Sequence, residues 1–102
     1  MKSGVRFRDE CFNVHALVTT LAHARLGVTV AKRVSVKAVS RNRIKRQIRE
    51  SFRQHQSVLC GVSLVVTAQP VADKKDNAHL RASLSKHWER VTSVCKQSRS
   101  QS

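Results

Sequence analysis

Six cationic side chains, Arg41, Arg43, Lys45, Arg46, Arg49 and Arg53, fall within thirteen positions, with Glu50 the one acid among them. Guanidinium groups at that density suit one kind of chemistry. Each planar fork can take two phosphate oxygens, or a phosphate and a base edge, at once. Asn42 lies inside the run and adds an amide that can donate and accept toward a 2′-hydroxyl or a base edge. An ordinary solvated face mixes signs to limit repulsion, and this one does not. Glu50 stands four residues after Arg46, a spacing that permits one ion pair on a helix. The segment reads as a polyanion-binding surface. Charge alone does not choose the polyanion, because a DNA-binding helix or an interfacial membrane helix would carry a similar run.

A helix has to hold such a ridge. Ile44, Ile48 and Phe52 recur every four residues, with Ser51 and Arg41 beside the line, and on a wheel of about 100° per residue they span roughly 80°. Asn42, Arg46, Arg49 and Arg53 fall within an arc of roughly 60° next to that stripe. Arg41 and Lys45 project near its buried edge, and Arg43 lies toward the far side. No Gly or Pro interrupts between Val34 and Leu59, so the spacing predicts a helix of about four to five turns from near Val36, ended by Cys60-Gly61.

The apolar stripe needs a sheet to dock on. Residues 11–19 alternate, with Phe12, Val14, Ala16 and Val18 on one face and Asn13, His15 and Leu17 on the other, which predicts a first strand. Residues 26–31 predict a second, ending on Lys32-Arg33, and the two are expected to pair as an antiparallel hairpin across the connector at 20–24. Residues 62–68 form the third, whose Leu64-Val65-Val66 run suggests burial on both faces. Pro70 closes it, and residues 73–76 are a charged loop. Leu80, Leu84, Trp88, Val91 and Cys95 advance by 4, 4, 3 and 4, a single helical stripe, with Asp76 or Asn77 as its N-cap. The order β-β-α-β-α predicts an α+β fold, a small mixed β-sheet with helices packed on one face. One domain is expected over residues 1–95, with a disordered basic tail over 96–102.

The bulk properties fit that reading. At 102 residues and 40% hydrophobic content the chain has room for one modest core. Twenty Lys and Arg against six Asp and Glu give a formal net charge of +14. The compact state carries that self-repulsion unless a polyanion relieves it. No run approaches the roughly 18 apolar residues of a spanning helix, and the N-terminus lacks the apolar segment of a signal peptide. Cys11, Cys60 and Cys95 are widely spaced, odd in number and without a CxxC pair. That pattern argues against a disulfide framework and a zinc site, fits a reducing cytoplasm and makes the cysteines ordinary packing residues. The five histidines show no HxxxH or HExxH spacing, and no carboxylate cluster is visible that could hold two metals for a protein nuclease.

The run Ala38-Val-Ser-Arg-Asn-Arg-Ile-Lys-Arg-Gln-Ile-Arg-Glu-Ser-Phe-Arg53 closely resembles the RNR signature of bacterial ribonuclease P proteins. Arg25-Leu-Gly-Val-Thr-Val-Ala-Lys-Arg33 resembles that family's second strand and its basic end. Leu64-Val-Val-Thr-Ala68 resembles its third strand, and the stretch from Asn77 to Trp88-Glu-Arg90 its closing helix. The similarity runs from about Arg6 to Arg90. It implies a sandwich related to a ribosomal-protein domain, with a left-handed βαβ crossover, opposite to the general rule. It also implies a protein that assists a catalytic RNA in removing the 5′ leader of precursor tRNA, with the chemistry left to the RNA and to Mg²⁺ bound mainly there. The sequence itself assigns no metal ligands to the protein. Carried over by position, Lys32, Arg33, Arg41, Asn42, Arg43, Lys45, Arg46, Arg49 and Arg53 become the RNA-facing set. Phe12 and His15 match sheet positions lining a cleft for the single-stranded leader, where aromatic stacking is sequence-tolerant. Without the resemblance Phe12 reads as a core residue and His15 as a half-exposed filler.

The expected partners are the catalytic RNA and precursor tRNA, not membrane or DNA, in the cytoplasm. A ribosomal or other structural RNA-binder of similar fold and a duplex-DNA binder are the alternatives. The family pattern has a basic segment and a helix ahead of the first strand, whereas almost nothing precedes Arg6 here. The expectation is a late start codon or a shortened chain, with the leader contact weakened and the catalytic-RNA contact kept.

Overall fold

The chain order is β1 (Val5–Arg8), β2 (Phe12–Val18), β3 (Arg25–Thr29), α1 (Ala38–His55), β4 (Val62–Ala68) and α2 (Asn77–Ser100), with short 3-10 turns at Gln56–Val58 and Pro70–Lys74. The computed structural model describes residues 4–19, 23–59 and 61–100, the side chains of residues 58 and 96–100 excepted. β2 and β4 share one alternating apolar phase, and together they make the middle of the sheet. Phe12, Val14 and Ala16 of β2 and Val62, Leu64, Val66 and Ala68 of β4 all point inward and are buried. The two strands run antiparallel, from Phe12↔Ala68 to Val18↔Val62.

The sheet order is β1-β2-β4-β3, with β1 antiparallel to β2 and β3 parallel to β4. The expected hairpin between the strands at 11–19 and 26–31 therefore does not form. β4 offers four inward apolar side chains against the alternately half-exposed β3, so it takes the central place beside β2. A parallel neighbour cannot be reached by a tight turn, and α1 is the crossover that joins β3 to β4. β1 was not among the expected strands. Four residues, Val-Arg-Phe-Arg, are too few for a persuasive alternation, and its two arginines suit an edge strand, where charge discourages further pairing. The Leu64-Val65-Val66 run is buried on one face only, since Val65 is 43% exposed.

Both helices pack on the buried face. From α1 come Ile44, Ile48 and Phe52, and from α2 come Leu80, Leu84, Trp88, Val91 and Cys95. The two stripes are those expected from the spacing. Ser51 and Gln47 of α1 are buried as well. The Ser51 hydroxyl oxygen accepts the Trp88 indole N–H at 2.7 Å and so satisfies a buried donor of the other helix. Phe52 meets the same indole edge to face, with ring centroids 6.0 Å apart. Asp76 caps α2 by accepting the His79 amide at 2.8 Å. The helix continues to Ser100, past Cys95, where a disordered tail was expected. Cys95 is disulfide-bonded and Cys11 is a free buried thiol, so the view of all three cysteines as plain packing residues does not hold. Spacing along a chain carries little information on which distant cysteines a fold brings together.

A polar knot ties the β1–β2 turn to α2. Asp9 Oδ1 accepts the amides of Cys11 at 2.9 Å and Phe12 at 2.8 Å, while Oδ2 accepts the Ser83 hydroxyl. His87 is 2% exposed, and its Nε2 lies 3.2 Å from Asp9 Oδ2, close enough to feel the carboxylate without an aligned hydrogen bond. Burial pushes the His87 ring below its usual value, over the opposing pull of Asp9, and the charge of Arg90 adds to the lowering. Burial alone would raise the Asp9 carboxyl, but the Ser83 hydroxyl, the two amides and His87 hold it below the usual range.

Both groups thus bind protons more readily in the unfolded chain, so the stability they confer is lost on acidification. For His87 it is present above the ordinary value of 6.5 and falls as pH drops through the lowered one. Urea unfolding should show a decline in stability between neutral pH and about pH 5. His87→Gln should flatten that decline, and an unchanged slope in the variant would assign the acid sensitivity elsewhere.

Candidate nucleic-acid interface

Because Ile44, Ile48 and Phe52 turn inward, the neighbouring arc of α1 is forced outward. Asn42, Arg46, Arg49 and Arg53 are all exposed. Together with Lys45 and Glu50 they line one shallow depression on the helix surface. Among the described residues no ion pair joins Glu50 to Arg46, so the acid permitted by the spacing does not neutralise the ridge. Four of the expected RNA-facing residues therefore share one exposed surface with Lys45 beside them, as the helical arc requires.

The remaining members of that set are placed differently. Arg43 reaches from α1 to the loop ahead of α2. Its Nη1 donates to Asn77 Oδ1 at 2.7 Å, and its Nη2 donates to the carbonyls of Lys75 at 3.2 Å and Asp73 at 3.4 Å. Arg41 Nη1 donates to the Ser35 carbonyl at 2.9 Å. These two forks brace the helix against its surroundings, Arg41 against the turn before α1 and Arg43 against the start of α2. Both stay partly exposed, and a guanidinium has five N–H donors, so neither loses its field at the surface. Lys32 and Arg33 are exposed in the turn after β3.

A second surface lies on the outer face of the sheet. His15 is exposed there, as the strand alternation requires, and it shares a shallow pocket with Arg6, Asn13, Val65 and Thr67. Arg6 is the register partner of His15 on β1, and Val65 its partner on β4. Leu17, 42% exposed, extends the apolar part of this face. Gly4 sits so close to His15 that a Cβ added there would collide with the imidazole. Phe12 is not part of this surface. It is fully buried among the core residues, because it lies three positions from His15 and so points through the opposite face of the strand. The expected stacking platform is thus a packing residue.

Arg6, Asn13 and Thr67 were not among the expected site residues. Asn13 and Thr67 could have been found from the strand phase, which puts them on the face opposite Val14 and Val66. Arg6 required the register of β1, which no local signal supplies.

A small α+β domain in which one apolar-anchored helix presents a line of guanidinium groups beside a half-bare sheet is a basic domain whose surface charge suits a polyanion. The profile of the Ribonuclease P family matches residues 1–92, and the chain belongs to this family. It is 46% identical over 72 residues to the ribonuclease P protein component of Thioalkalivibrio sulfidiphilus, a stretch covering 71% of this chain and 60% of that protein. The chain spans 60 to 66% of the length of the first curated relatives it matches. Its fold superposes on the Staphylococcus aureus RNase P protein with a TM-score of 0.77 at 32% identity, over 91% of this chain and 82% of that one. The Thermotoga maritima RNase P protein, solved with a fluorophenyl thiourea, gives 0.79 at 29% identity over 86% of each chain.

The two kinds of arginine should separate in a stability assay. Arg43→Ala removes three hydrogen bonds from a charged donor and should cost about 1.5–3 kcal/mol of folding free energy. Arg46→Ala, on the open ridge, should stay within about 0.5 kcal/mol of the parent. Urea unfolding curves check both, and equal losses would contradict the division of roles.

Proposed function

We propose that this chain acts as the protein subunit of ribonuclease P: it binds the catalytic RNA through the α1 ridge and the 5′ leader of precursor tRNA through the outer sheet face. It thereby assists endonucleolytic removal of the leader. The observation that carries the reading is the exposed surface shared by Asn42, Arg46, Arg49 and Arg53, with the half-buried Lys45 beside them, in a chain of the Ribonuclease P family. Phosphates crowd where RNA helices meet, and a rigid row of forks neutralises them at little entropic cost. The exposed Lys32 and Arg33 extend the same field.

Cleavage chemistry is assigned to the RNA and to Mg²⁺ held there. Mg²⁺ favours several oxygen ligands in near-octahedral geometry, and the ridge offers one carboxylate, Glu50, among guanidinium groups, so the protein side does not fit that ion. The proposed setting is cytoplasmic. No helix among the described residues is long and apolar enough to cross a membrane.

On the sheet face, His15, Arg6, Asn13 and Thr67 offer ring, cation and polar contacts to a single strand, and Val65 and Leu17 offer apolar surface to the flat side of a base. Such contacts are tolerant of sequence. They would favour leader-bearing substrate over mature product.

Reconstitution with a bacterial ribonuclease P RNA at low Mg²⁺ tests the proposal: addition of the chain should restore precursor-tRNA cleavage, and no rescue would sink it. Counterion release makes affinity for the RNA fall with salt. The double variant Arg46→Ala/Arg49→Ala should lower that log–log slope by roughly 2 while keeping the fold, and an unaltered slope would remove the ridge from the interface. His15→Ala should leave affinity for the catalytic RNA unchanged and reduce the preference for precursor over mature tRNA. Competition binding with the two tRNA forms measures this, and an unchanged preference would exclude His15 from the leader path.

A further inference from the structure

One corner of the molecule carries chemistry that neither surface uses. The β1–β2 turn presents Glu10 and Cys11, and the first turn of α2 brings His79 against them. One carboxylate oxygen, the thiol sulfur and one imidazole nitrogen of these residues all lie within 4.8 Å of one another. Glu10 Oε1 and His79 Nε2 are 3.3 Å apart. In a tetrahedral shell with bonds of about 2.0–2.2 Å to oxygen and nitrogen, two such donors stand roughly 3.4 Å apart. That edge of the polyhedron is already formed. Cys11 is a free thiol, fully buried beneath the two exposed groups, and would close the site from the protein side.

We propose that Glu10, Cys11 and His79 form a binding site for a thiophilic divalent cation of the zinc class, with solvent completing a four-coordinate shell. A sulfur, a nitrogen and an oxygen suit that borderline-soft ion, whereas Mg²⁺ and Ca²⁺ take oxygen ligands. Carboxylates gather at this corner in a chain of net charge +14: Asp9 lines the same shallow pocket as Glu10, His79 and Lys86, and Asp76 stands beside His79 as its helix cap, so three acids face the two ammonium groups of Lys75 and Lys86. The backbone that carries the donors is held in place. Asp9 fixes the turn through the amides of Cys11 and Phe12, and Asp76 fixes the amide of His79.

An arriving ion displaces little. The Lys75 ammonium lies 3.7 Å from Glu10, but Glu10 is exposed and Lys75 only half-buried, so the long side chain can swing into solvent. The thiol gives its proton to solvent as the metal–sulfur bond forms. The bound ion would then join the edge of the sheet to α2, close to the loop that Arg43 braces against α1. It would stiffen the base on which the arginine ridge stands.

Co²⁺ added to the full, untagged chain provides the probe. One equivalent should produce a thiolate-to-cobalt charge-transfer band and intense tetrahedral d–d bands, both removed by one equivalent of Zn²⁺. Cys11→Ser should lose the charge-transfer band. His79 and Glu10 are exposed, so His79→Ala and Glu10→Gln keep the fold. His79→Ala should weaken Zn²⁺ binding at least about tenfold, since a lost ligand costs no less than a lost supporting contact. It should also abolish the rise in unfolding temperature that Zn²⁺ gives the parent. A missing thiolate band at one equivalent, a band that survives in Cys11→Ser, or parental Zn²⁺ affinity in His79→Ala would each overturn the assignment.

Discussion

A line of like charges is stable only if something uncharged holds it in place, and here that restraint is the apolar side of α1. Ile44, Ile48 and Phe52 are buried against the sheet and against α2. Burial of three such side chains contributes on the order of 1.5–3 kcal/mol each, enough to oppose the mutual repulsion of neighbouring exposed guanidinium groups. The Ser51–Trp88 hydrogen bond and the edge-to-face contact of Phe52 with Trp88 add direction to that restraint. Apolar packing alone would let the helix rotate or slide. A buried indole N–H with one designated acceptor fixes its roll, and the roll decides which arc carries Asn42, Arg46, Arg49 and Arg53 to the surface.

The arginines are not equivalent, although their spacing makes them look so. Arg43 and Arg41 spend donors on backbone carbonyls of the flanking turns, and thereby satisfy acceptors that would otherwise need water. Arg43 does more, because the loop it grips leads into α2. Pinning that loop sets where α2 begins and so how Leu80, Leu84 and Trp88 meet the core. The first cations of α1 thus serve its architecture, and those that follow from Lys45 onward form the open ridge. Replacing Arg43 with lysine would remove the planar fork whose two separate nitrogens reach Asn77 on one side and two carbonyls on the other.

Much of this was legible in the sequence where the signal was periodic. The stripe Leu80, Leu84, Trp88, Val91, Cys95 and the stripe Ile44, Ile48, Phe52 are buried as the spacing required, and the phase of β2 separated Val14 from His15 correctly. What failed depended on pairing. Nothing in residues 11–19 and 26–31 states that a strand more than 30 residues further on will come between them, since period-2 alternation fixes a face and not a neighbour. Phe12 illustrates a different failure: its own alternation had already put it on the inward face with Val14, and the expectation of a stacking role came from the family pattern, which the strand phase contradicts. The approach of Cys11 to His79 was invisible for the reason that hid the hairpin error, because it is created by the turn and the helix meeting in space.

The topology also explains why two candidate surfaces can coexist on so small a domain. With both helices on one face, the sheet's other face is covered by none of the described helices, and its exposed members Leu17 and Val65 stand among Arg6, His15 and Asn13. The ridge on α1 and this half-apolar face are held at a fixed separation by the core between them. A polyanion that engages only the ridge gains phosphate contacts and counterion release. One that also lays an unstacked strand over the sheet gains contacts to the faces of its bases. The second gain is open only to a ligand with a single-stranded extension set at the right distance from a folded body. Under the proposed function, discrimination between substrate and product therefore rests on the rigidity of the Ile44–Ile48–Phe52 anchor as much as on any residue that touches RNA, because a ridge free to shift would engage either ligand alike.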